Sequence, residues 1–206
     1  MDPRSILQSP LAYITFQALV GGLHVRTVCL DMLNIKPGEK ILDVGCGPAY
    51  YLNKMPEVEY FGFDTDKRYI DYARTQYGHR GTFVCDVFNN RNAQLFDNFD
   101  CVMLMGLLHH LDDDSCFTLL NLVASKLKST GRVIALDTTL HQDQNRFDKY
   151  LAKNDRGQYV RNPDEFRALA DPSFSSVKGQ LIRAWWMPSI YWVMVLRRPM
   201  TSLLHD

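Results

Sequence analysis

The sequence predicts an α/β protein with a doubly wound, mostly parallel sheet of seven strands. From residue 36 onward, short apolar runs alternate with amphipathic runs, a pattern typical of a parallel sheet with helices on both faces. Near the C-terminus, two β-rich runs follow each other with no helix between them, and these predict an antiparallel last strand. The five runs of the parallel part are KILDVG, VEYFGFD, GTFVCD, FDCVMLMG and GRVIALD, and the hairpin runs are FSSVKGQLIRAWW and IYWVMVLRR.

Helical periodicity predicts two crossover helices within this pattern. The run TDKRYIDYARTQYG is predicted to end at Gly78, and the run DDSCFTLLNLVASKLKSTG at Gly131, because glycine commonly follows the last turn of a helix. Met187, Pro188 and Ser189 form the predicted turn of the hairpin.

No Pro/Gly/Ser-rich linker divides the chain, so we expect a single domain over residues 1–206. Two short helices broken at Gly21 and Gly22 are expected to cap the domain. The predicted parts are the helical cap (1–36), the core that carries the binding loop (37–140), an insert or lid (141–171), and a β-hairpin with tail (172–206).

Composition limits the classes of function. Lys plus Arg and Asp plus Glu both number 23, so the chain has no net positive charge to favour nucleic acid as a partner. Its five cysteines show no C-x-x-C spacing, which favours reduced thiols and a cytoplasmic location. The apolar N-terminal stretch contains His24 and Arg26 and follows no basic segment, so we expect neither a signal peptide nor a membrane span. No pattern in the sequence indicates the oligomeric state.

The first predicted strand ends in closely spaced glycines, in the stretch KILDVGCGPAYYL. Such glycines allow bare backbone to approach a ligand. A dinucleotide-binding loop requires G-x-G-x-x-G, but the sixth position counted from Gly45 is Tyr50, and Pro48 removes one backbone N–H that a pyrophosphate would use. A nicotinamide or flavin cofactor is therefore disfavoured.

The loop has the pattern D-x-G-x-G instead, and Asp64 and Asp86 end the second and third predicted strands. With these residues the chain resembles the class I S-adenosylmethionine-dependent methyltransferases, of the small-molecule type found in ubiquinone and menaquinone biosynthesis. The resemblance covers residues 33–137. Its segments are LNIKPGEKILDVGCG, YFGFDTDKRYIDYAR, FVCDV, FDCVMLMGLLHHLDDD and KLKSTGRVIALD. It implies a Rossmann-like fold and S-adenosyl-L-methionine as the cofactor of a transferase.

The resemblance implies that the backbone of Gly45, Cys46 and Gly47 faces the methionine part of the cofactor. It implies that Asp43 orients this loop or meets the cofactor's amino group. Met105, at the end of the fourth predicted strand, completes this part of the expected site.

At the other end of the expected cofactor site, the resemblance assigns Asp64, beside Thr65, to both ribose hydroxyls. It assigns Asp86 to the adenine amino group, with Val87 or Phe88 packed on the ring. A lone acidic residue at a strand end is more often a helix cap or turn residue. We expect that role for Asp66 and for the acidic residues at 112–114, with Asp66 as the second candidate for the ribose.

Methyl transfer requires an aligned acceptor and, for a hydroxyl, a base. The run MGLLHHLDDD places His109 and His110 just beyond the fourth predicted strand, and histidine titrates near neutral pH. Both are candidate catalytic residues, with His109 the first choice. One of two adjacent histidines commonly packs into the fold, so a structural role stays open for each. No third ligand accompanies them at helical spacing, so no metal site is predicted.

Residues on both sides of the core are candidates for a lid over the site, although a structural role is the simpler explanation for most. They are Tyr13, Phe16, Gln17, His141, Gln144, Tyr159 and Arg161. Four hairpin aromatics would suit the floor of an apolar pocket, but one face of a hairpin is buried in any case, which favours core packing. They are Trp185, Trp186, Tyr191 and Trp192.

Taken together, the sequence favours an S-adenosylmethionine-dependent methyltransferase that acts on a small-molecule acceptor, with O-methylation preferred. The short insert favours a small acceptor over a polymer. An N- or C-methyltransferase for a small metabolite is the alternative within the same chemistry. A non-catalytic protein that binds S-adenosylmethionine is the alternative from another class.

Overall fold

The computed structural model describes residues 9–19, 21–153, 157–183, 186 and 189–200. The helices are α1 (Pro10–Leu19), α2 (Gly22–Leu33), α3 (Lys67–Tyr77), α4 (Asp113–Lys126), α5 (Arg146–Lys153) and α6 (Pro163–Ala170). The strands are β1 (Lys40–Val44), β2 (Glu59–Asp64), β3 (Gly81–Cys85), β4 (Phe99–Met105), β5 (Leu127–Thr138), β6 (Phe174–Arg183) and β7 (Ile190–Pro199). Short 3₁₀ helices cover Tyr50–Lys54, Ala93–Leu95 and Leu108–His110.

The strands form one sheet in the order β3-β2-β1-β4-β5-β7-β6. Strands β1 to β5 pair in parallel, and β7 is antiparallel to both of its neighbours, β5 and β6. This confirms the predicted fold class, a mostly parallel seven-stranded sheet with an antiparallel last strand. The strand order reverses between β1 and β4, and in such sheets ligands bind beyond the carboxyl ends of the strands at that point.

Helices cover both faces of the sheet, and each face has its own hydrophobic core. On one face α2 and α3 pack against β1, β2 and β4, with Cys29, Ile70 and Met103 fully buried. On the other face α4 and α6 pack against the sheet, with Leu120 and Phe166 fully buried. Because the central strands are covered on both sides, their sequences are continuous apolar runs without strict alternation.

Helix α3 begins and ends where its sequence predicts. The Asp66 side chain caps its first turn by accepting a hydrogen bond from the Arg68 backbone N–H at 2.9 Å. Gly78 follows its last turn. The predicted cap role of Asp66 is thus confirmed.

Helix α4 is shorter than its sequence predicts. It begins after the Asp112 cap, but it ends at Lys126 and does not continue to Gly131. Leu127 already pairs with Phe99 at the start of β4. The predicted end was wrong because sheet pairing takes over the residues that would have formed the last helical turn.

The N-terminal helices and the insert flank the sheet at its ligand-binding edge. Gly21, with φ of 76°, separates α1 from α2 at the predicted break. Residues 141–171 carry α5 and α6, and a parallel bridge between Thr139 and Arg161 ties this segment to the end of β5. Within the described part of the chain, no helix is long and apolar enough to cross a membrane.

Candidate active site

A large cavity opens at the carboxyl ends of the parallel strands, where the strand order reverses. Its volume is about 1360 Å³. Typical small-molecule sites occupy roughly 300–1,000 Å³, so this cavity has room for two ligands side by side. The predicted site residues that line it are Gly45, Gly47, Asp64, Thr65, Asp86, Val87, Met105, His109 and His110.

The glycine loop after β1 presents bare backbone to this cavity. Gly45 and Gly47 have φ of 77° and 54°, a left-handed conformation that glycine adopts without strain. A Cβ at Gly45 would lie 3.3 Å from the side chain of Leu107, so the loop also packs closely against the segment after β4. The Gly45 N–H donates to the carbonyl of Phe63 at 2.8 Å, which fixes the loop to β2.

Asp64, at the end of β2, connects the loop to the cavity wall. Its Oδ2 accepts a hydrogen bond from the Gly47 N–H, and its Oδ1 accepts one from the Asp66 N–H, both at 2.8 Å. Burial raises the pKa of the Asp64 carboxyl, and these two backbone hydrogen bonds oppose the shift. Each carboxylate oxygen retains a second lone pair with which to accept from a ligand.

Asp86, after β3, lies at the far end of the same wall. Its Oδ1 accepts a hydrogen bond from the Val87 N–H at 2.8 Å, and its Oδ2 lies 3.3 Å from Asn92 Nδ2. The side chain of Val87 is exposed at the cavity, while Phe88 is buried against Phe63 with the ring centroids 5.1 Å apart. Val87 and Phe88 were both predicted to pack on the adenine ring, and of these two only Val87 has an exposed side chain.

The side chains of Asp43 and Cys46 lie beneath the loop, outside the cavity wall. Asp43 is fully buried, and its Oδ2 accepts hydrogen bonds from the hydroxyls of Tyr51 at 2.8 Å and Tyr60 at 2.5 Å. Burial raises the pKa of the Asp43 carboxyl to about 7, although both hydrogen bonds act to lower it. Cys46 is buried against Gly62. The Tyr51 hydroxyl that donates to Asp43 also lies 3.4 Å from the Cys46 carbonyl, so Asp43 is connected to the loop through this hydroxyl.

His109 forms a buried pair with Asp137, which lies near the end of β5. Asp137 Oδ1 lies 2.7 Å from His109 Nδ1 and accepts a hydrogen bond from the His109 backbone N–H at 3.1 Å. Because an ionised carboxylate only accepts, we assign the ring proton to Nδ1, which leaves Nε2 as the basic nitrogen. The exposed His110 ring lies 4.2 Å away, centroid to centroid. A histidine oriented by a buried carboxylate has the geometry of a general base. The described residues contain no group of three or more His, Cys, Asp or Glu side chains that would hold a metal ion.

Residues of the insert and of the last strand also line the cavity. Phe147, Asp148 and Ala152 line it from the insert, and Ile190 and Tyr191 line it from β7. Asp148 is buried, and its Oδ2 has no hydrogen-bond partner among the described residues. Burial raises the pKa of this carboxyl.

The predicted lid residues separate into two groups. Those of α1 line the cavity, namely Tyr13, Phe16 and Gln17. Those of the insert are absent from its wall, namely His141, Gln144, Tyr159 and Arg161. Gln144 donates to the Thr139 carbonyl at 2.8 Å, and Arg161 pairs with Asp113 at 2.7 Å. These two insert residues therefore have structural partners, and the insert reaches the cavity through α5 instead.

The hairpin aromatics also differ in position. Tyr191 lines the cavity, and Trp192 packs against the core on one face of the sheet. Trp186 is exposed, with its ring 5.4 Å from that of His24. Trp185 lies outside the described residues.

Sequence reasoning missed several cavity residues with ionisable side chains, among them Asp137, Arg26 and Asp148. Asp137 had a usable signal, because it ends the run GRVIALD just as Asp64 ends an earlier strand run. Arg26 lies in a helix far from the loop in sequence, and Asp148 lies in an insert without a recognisable pattern. Only the tertiary fold brings these two to the cavity.

Residues 41–131 match the family model described as a methyltransferase domain. This segment runs from β1 into β5 and contains the glycine loop, the strand-end carboxylates Asp64 and Asp86 of the cavity wall, and both histidines. Over this segment the chain is similar to the methyltransferases. S-adenosylmethionine is the cofactor of this methyltransferase family.

Curated relatives match the methyltransferase domain over part of their length. Phosphoethanolamine N-methyltransferase 3 of Arabidopsis thaliana is 30% identical over 122 residues, which cover 57% of this chain and 24% of that protein. The ubiquinone biosynthesis O-methyltransferase of Proteus mirabilis is 32% identical over 101 residues, which cover 47% of this chain and 40% of that protein. The chain thus spans less than half the length of these relatives. Among solved structures, the PH0226 protein of Pyrococcus horikoshii OT3 shares the fold, with a TM-score of 0.65, 20% identity, and coverage of 85% of this chain and 91% of that one.

The residues of the methyltransferase domain fit its cofactor. The left-handed Gly45 and Gly47 leave space beside the loop that a side chain would fill. Asp64 brings a carboxylate with remaining acceptor capacity to the same wall, as two vicinal hydroxyls require. Pro48 removes a backbone donor from the loop, a loss that matters for a pyrophosphate but not for a cofactor without phosphate.

Proposed function

We propose that this chain transfers a methyl group from S-adenosylmethionine to a small-molecule acceptor, and that oxygen is the preferred accepting atom. The observation that carries the proposal is one cavity, which joins the glycine loop and Asp64 at one end to the pair of His109 and Asp137 at the other. When bound, the cofactor supplies an already activated methyl group. The chain itself must then align the acceptor and remove its proton.

His109 is the proposed base. Its Nε2 would take the proton of an acceptor hydroxyl, while the contact between Nδ1 and Asp137 keeps the ring in this orientation. Asp137 would also stabilise the imidazolium that forms, because its carboxylate lies 2.7 Å from Nδ1. His110, exposed beside it, is proposed to line the path of the acceptor.

At the cofactor end, each wall residue has a proposed task. Asp64, beside Thr65, would accept hydrogen bonds from the ribose hydroxyls, and Asp86 would accept one from the adenine amino group. Val87 would pack on the adenine ring, because its exposed side chain lines the cavity there. The backbone of the glycine loop and the end of β4 would face the methionine part.

N-methylation of an amine is the second candidate, and Asp148 is the observation that favours it. A buried carboxylate with an unpartnered oxygen would bind the ammonium form of an acceptor amine and would take the proton that this nitrogen must lose before it accepts the methyl group. One curated relative, the Arabidopsis thaliana enzyme, is named as an N-methyltransferase.

The test is an acceptor screen with matched pairs. The purified chain is incubated with S-adenosylmethionine and pairs of compounds that differ only in a hydroxyl or an amine at one position, both aromatic and aliphatic. S-adenosylhomocysteine release is measured for each. Turnover of the hydroxyl members supports O-methylation, and turnover of the amines alone supports the second candidate. Tight cofactor binding without turnover of any compound in the screen would favour a non-catalytic protein that binds S-adenosylmethionine.

For the acceptor that is found, His109→Ala should lower turnover on the order of 10²-fold, as expected for loss of a general base. Its affinity for S-adenosylhomocysteine should stay near that of the wild type, because His109 is not in the proposed cofactor wall. His79→Ala, at an exposed histidine outside the cavity, is the matched control and should retain the activity. Full activity in His109→Ala would show that His109 is not the base.

A further inference from the structure

Gly157, in the insert, packs directly against the ring of His109. The glycine is buried, and a Cβ added to it would overlap Cδ2 of the ring and lie 2.8 Å from Cγ. The same Cβ would lie 2.5 Å from the His109 carbonyl oxygen. Overpacking of this kind forces a side chain or the backbone to move. Only glycine therefore fits this position while the histidine keeps its place.

The insert is fixed to the histidine segment immediately beyond Gly157. The Tyr159 N–H donates to the His109 carbonyl at 3.0 Å. Two residues later, the Arg161 guanidinium donates to the Leu108 carbonyl at 3.0 Å. Because these hydrogen bonds hold the insert backbone against the turn of residues 108–110, the insert cannot simply shift away from a new side chain at position 157. The ring of the histidine would have to move instead.

Other contacts hold the same ring at the cavity. Its Nδ1 lies 2.7 Å from Asp137 Oδ1, and the His110 ring lies 4.2 Å away, centroid to centroid. Its Cε1 lies 3.9 Å from the place of a Cβ on Gly106. His109 and Gly106 line the cavity, whereas Gly157 does not. Gly157 would therefore act on the reaction only through the ring of His109.

We propose that Gly157 is a positioning residue for the base, because its lack of a side chain lets the insert hold the His109 ring against Asp137. This inference rests on the proposed function, since it requires that His109 takes the proton of the acceptor. The contact between Nδ1 and Asp137 determines which ring nitrogen carries the proton. Misplacement of a reacting group by about 1 Å can lower the rate on the order of 10²-fold. A glycine of the insert would thus determine the activity of a histidine on another segment.

The first measurement is NMR of isotope-labelled histidine rings in the full chain, in the presence of S-adenosylhomocysteine. At a pH where the ring is neutral, the wild-type His109 signals should show the proton on Nδ1. The variant His109→Ala identifies these signals by their loss. In Gly157→Ala the form with the proton on Nε2 should appear, because the contact with Asp137 that fixes the tautomer is lost.

Kinetics with each acceptor found in the screen provide the second measurement. Gly157→Ala should lower kcat on the order of 10²-fold, with a smaller change in KM, as expected for a misplaced base. Its affinity for S-adenosylhomocysteine should stay near that of the wild type, because Gly157 is outside the cavity wall.

Gly131→Ala is the matched control. Gly131 is also buried, and a Cβ there would lie 2.6 Å from Leu127 Cγ and 2.9 Å from the Lys128 carbonyl oxygen. It lies in the first half of β5, away from the carboxyl end of that strand and outside the cavity wall. This variant should lose stability but keep the wild-type ring signals and turnover.

A double variant secures the test if Gly157→Ala does not fold. His109→Ala removes the ring that the new Cβ would overlap. Since the effects of residues in contact are not additive, Gly157→Ala should lower Tm less in the His109→Ala background than in the wild type. The double variant should fold even if Gly157→Ala does not. Equal losses in both backgrounds, or failure of both proteins to fold, would overturn the inference.

The outcomes separate the inference from the function on which it rests. Full activity in His109→Ala would overturn the proposed base and the inference together. Unchanged ring signals or an unchanged kcat in folded Gly157→Ala would overturn the inference alone. The same change of the ring signals in Gly131→Ala would also overturn it, because a general loss of stability would then explain the effect.

Discussion

Asp64 shows how a single carboxylate can serve the loop and the ligand together. It holds the Gly47 N–H and the Asp66 N–H at 2.8 Å, and it lines the cavity with both oxygens still able to accept. Asp66, two residues later, caps α3 and pairs with Arg68. Asp64 and Asp66 therefore have different roles, and substitution of each residue by itself can distinguish these roles.

We predict that Asp64→Ala weakens S-adenosylhomocysteine binding by more than about 1.5 kcal/mol, the scale of hydrogen bonds to a charged group. The loop also loses its anchor at Gly47, which acts in the same direction. Titration calorimetry measures the effect. Asp66→Ala removes the cap of α3 but should leave the affinity near that of the wild type. Equal affinity in folded Asp64→Ala would remove the cofactor role of this residue.

The raised pKa of the buried Asp43 carboxyl should make the stability of the protein depend on pH. Burial raises its pKa in the folded protein to about 7, from an ordinary value of 3.8. The folded state then binds more protons than the unfolded state between these values, so the Asp43 contribution to the free energy of unfolding falls as pH rises from about 4 to about 7. Asp43→Asn cannot titrate and should flatten this part of the profile. Urea denaturation of both proteins from pH 4.5 to pH 8 measures the difference, and parallel profiles would contradict the assignment.

At the scale of elements, Arg161 ties the insert to the segment that carries the histidines. Its guanidinium donates to the carbonyls of Leu108, Leu111 and Tyr159 at 2.7–3.0 Å, and it pairs with Asp113. The insert thus holds the 3₁₀ turn of residues 108–110 against the end of β4. This explains why a predicted lid residue is a structural anchor.

We predict that Arg161→Ala lowers the free energy of unfolding by about 2–4 kcal/mol, because it leaves buried carbonyls without donors. Arg167→Ala on α6 is the matched control. Its exposed pair with Asp171, at 3.7 Å, should contribute less than about 1 kcal/mol. Denaturant unfolding of the two variants measures the contrast, and similar small losses in both would show that Arg161 is not the anchor.

Features set by residues close together in the sequence could be predicted, and features set by contacts between distant residues could not. Strand runs, the glycine loop and the Asp66 cap are local patterns, and the sequence predicted them. The end of α4 at Lys126 depends on the pairing of Leu127 with β4, so helical periodicity alone placed it too late. The orientation of a side chain on a strand covered on both faces is also not local. For that reason the sequence left two positions open for Asp43, beneath the loop or at the ligand, and the structure places its side chain beneath the loop.

At the scale of the whole molecule, the strand order brings together residues that are far apart in sequence. The sheet places the ends of β1, β2, β4 and β5 around one cavity, while α1, α2 and the insert close its sides. The positions of Asp64 and Asp86 on the cavity wall were predictable, because these residues follow predicted strands directly. Arg26 and Asp148 come from the flanking segments, whose packing over the sheet no sequence pattern specifies.

The same architecture predicts how the molecule responds to its cofactor. Helix α1 has no buried residue of its own, yet Tyr13 and Gln17 contact Arg26 above the loop. Because residues of α1 and of the loop line one cavity, a ligand bound there would stabilise α1 together with the core. At a concentration of about 100 times Kd, S-adenosylhomocysteine should stabilise the fold by about 2.7 kcal/mol. For a chain of this size that raises Tm by roughly 5–10 °C.

Thermal unfolding and amide hydrogen exchange, with and without the ligand, measure this response. Protection should increase at residues 45–47 and 64–66, next to the proposed contacts, and in α1, whose residues Tyr13, Phe16 and Gln17 line the same cavity. NADH at the same concentration is the control and should change neither Tm nor exchange, because the loop lacks the glycine spacing for a pyrophosphate. A shift with NADH equal to that with S-adenosylhomocysteine would contradict the cofactor assignment. Protection of the loop without protection of α1 would instead show that the N-terminal helices are not coupled to the cofactor site.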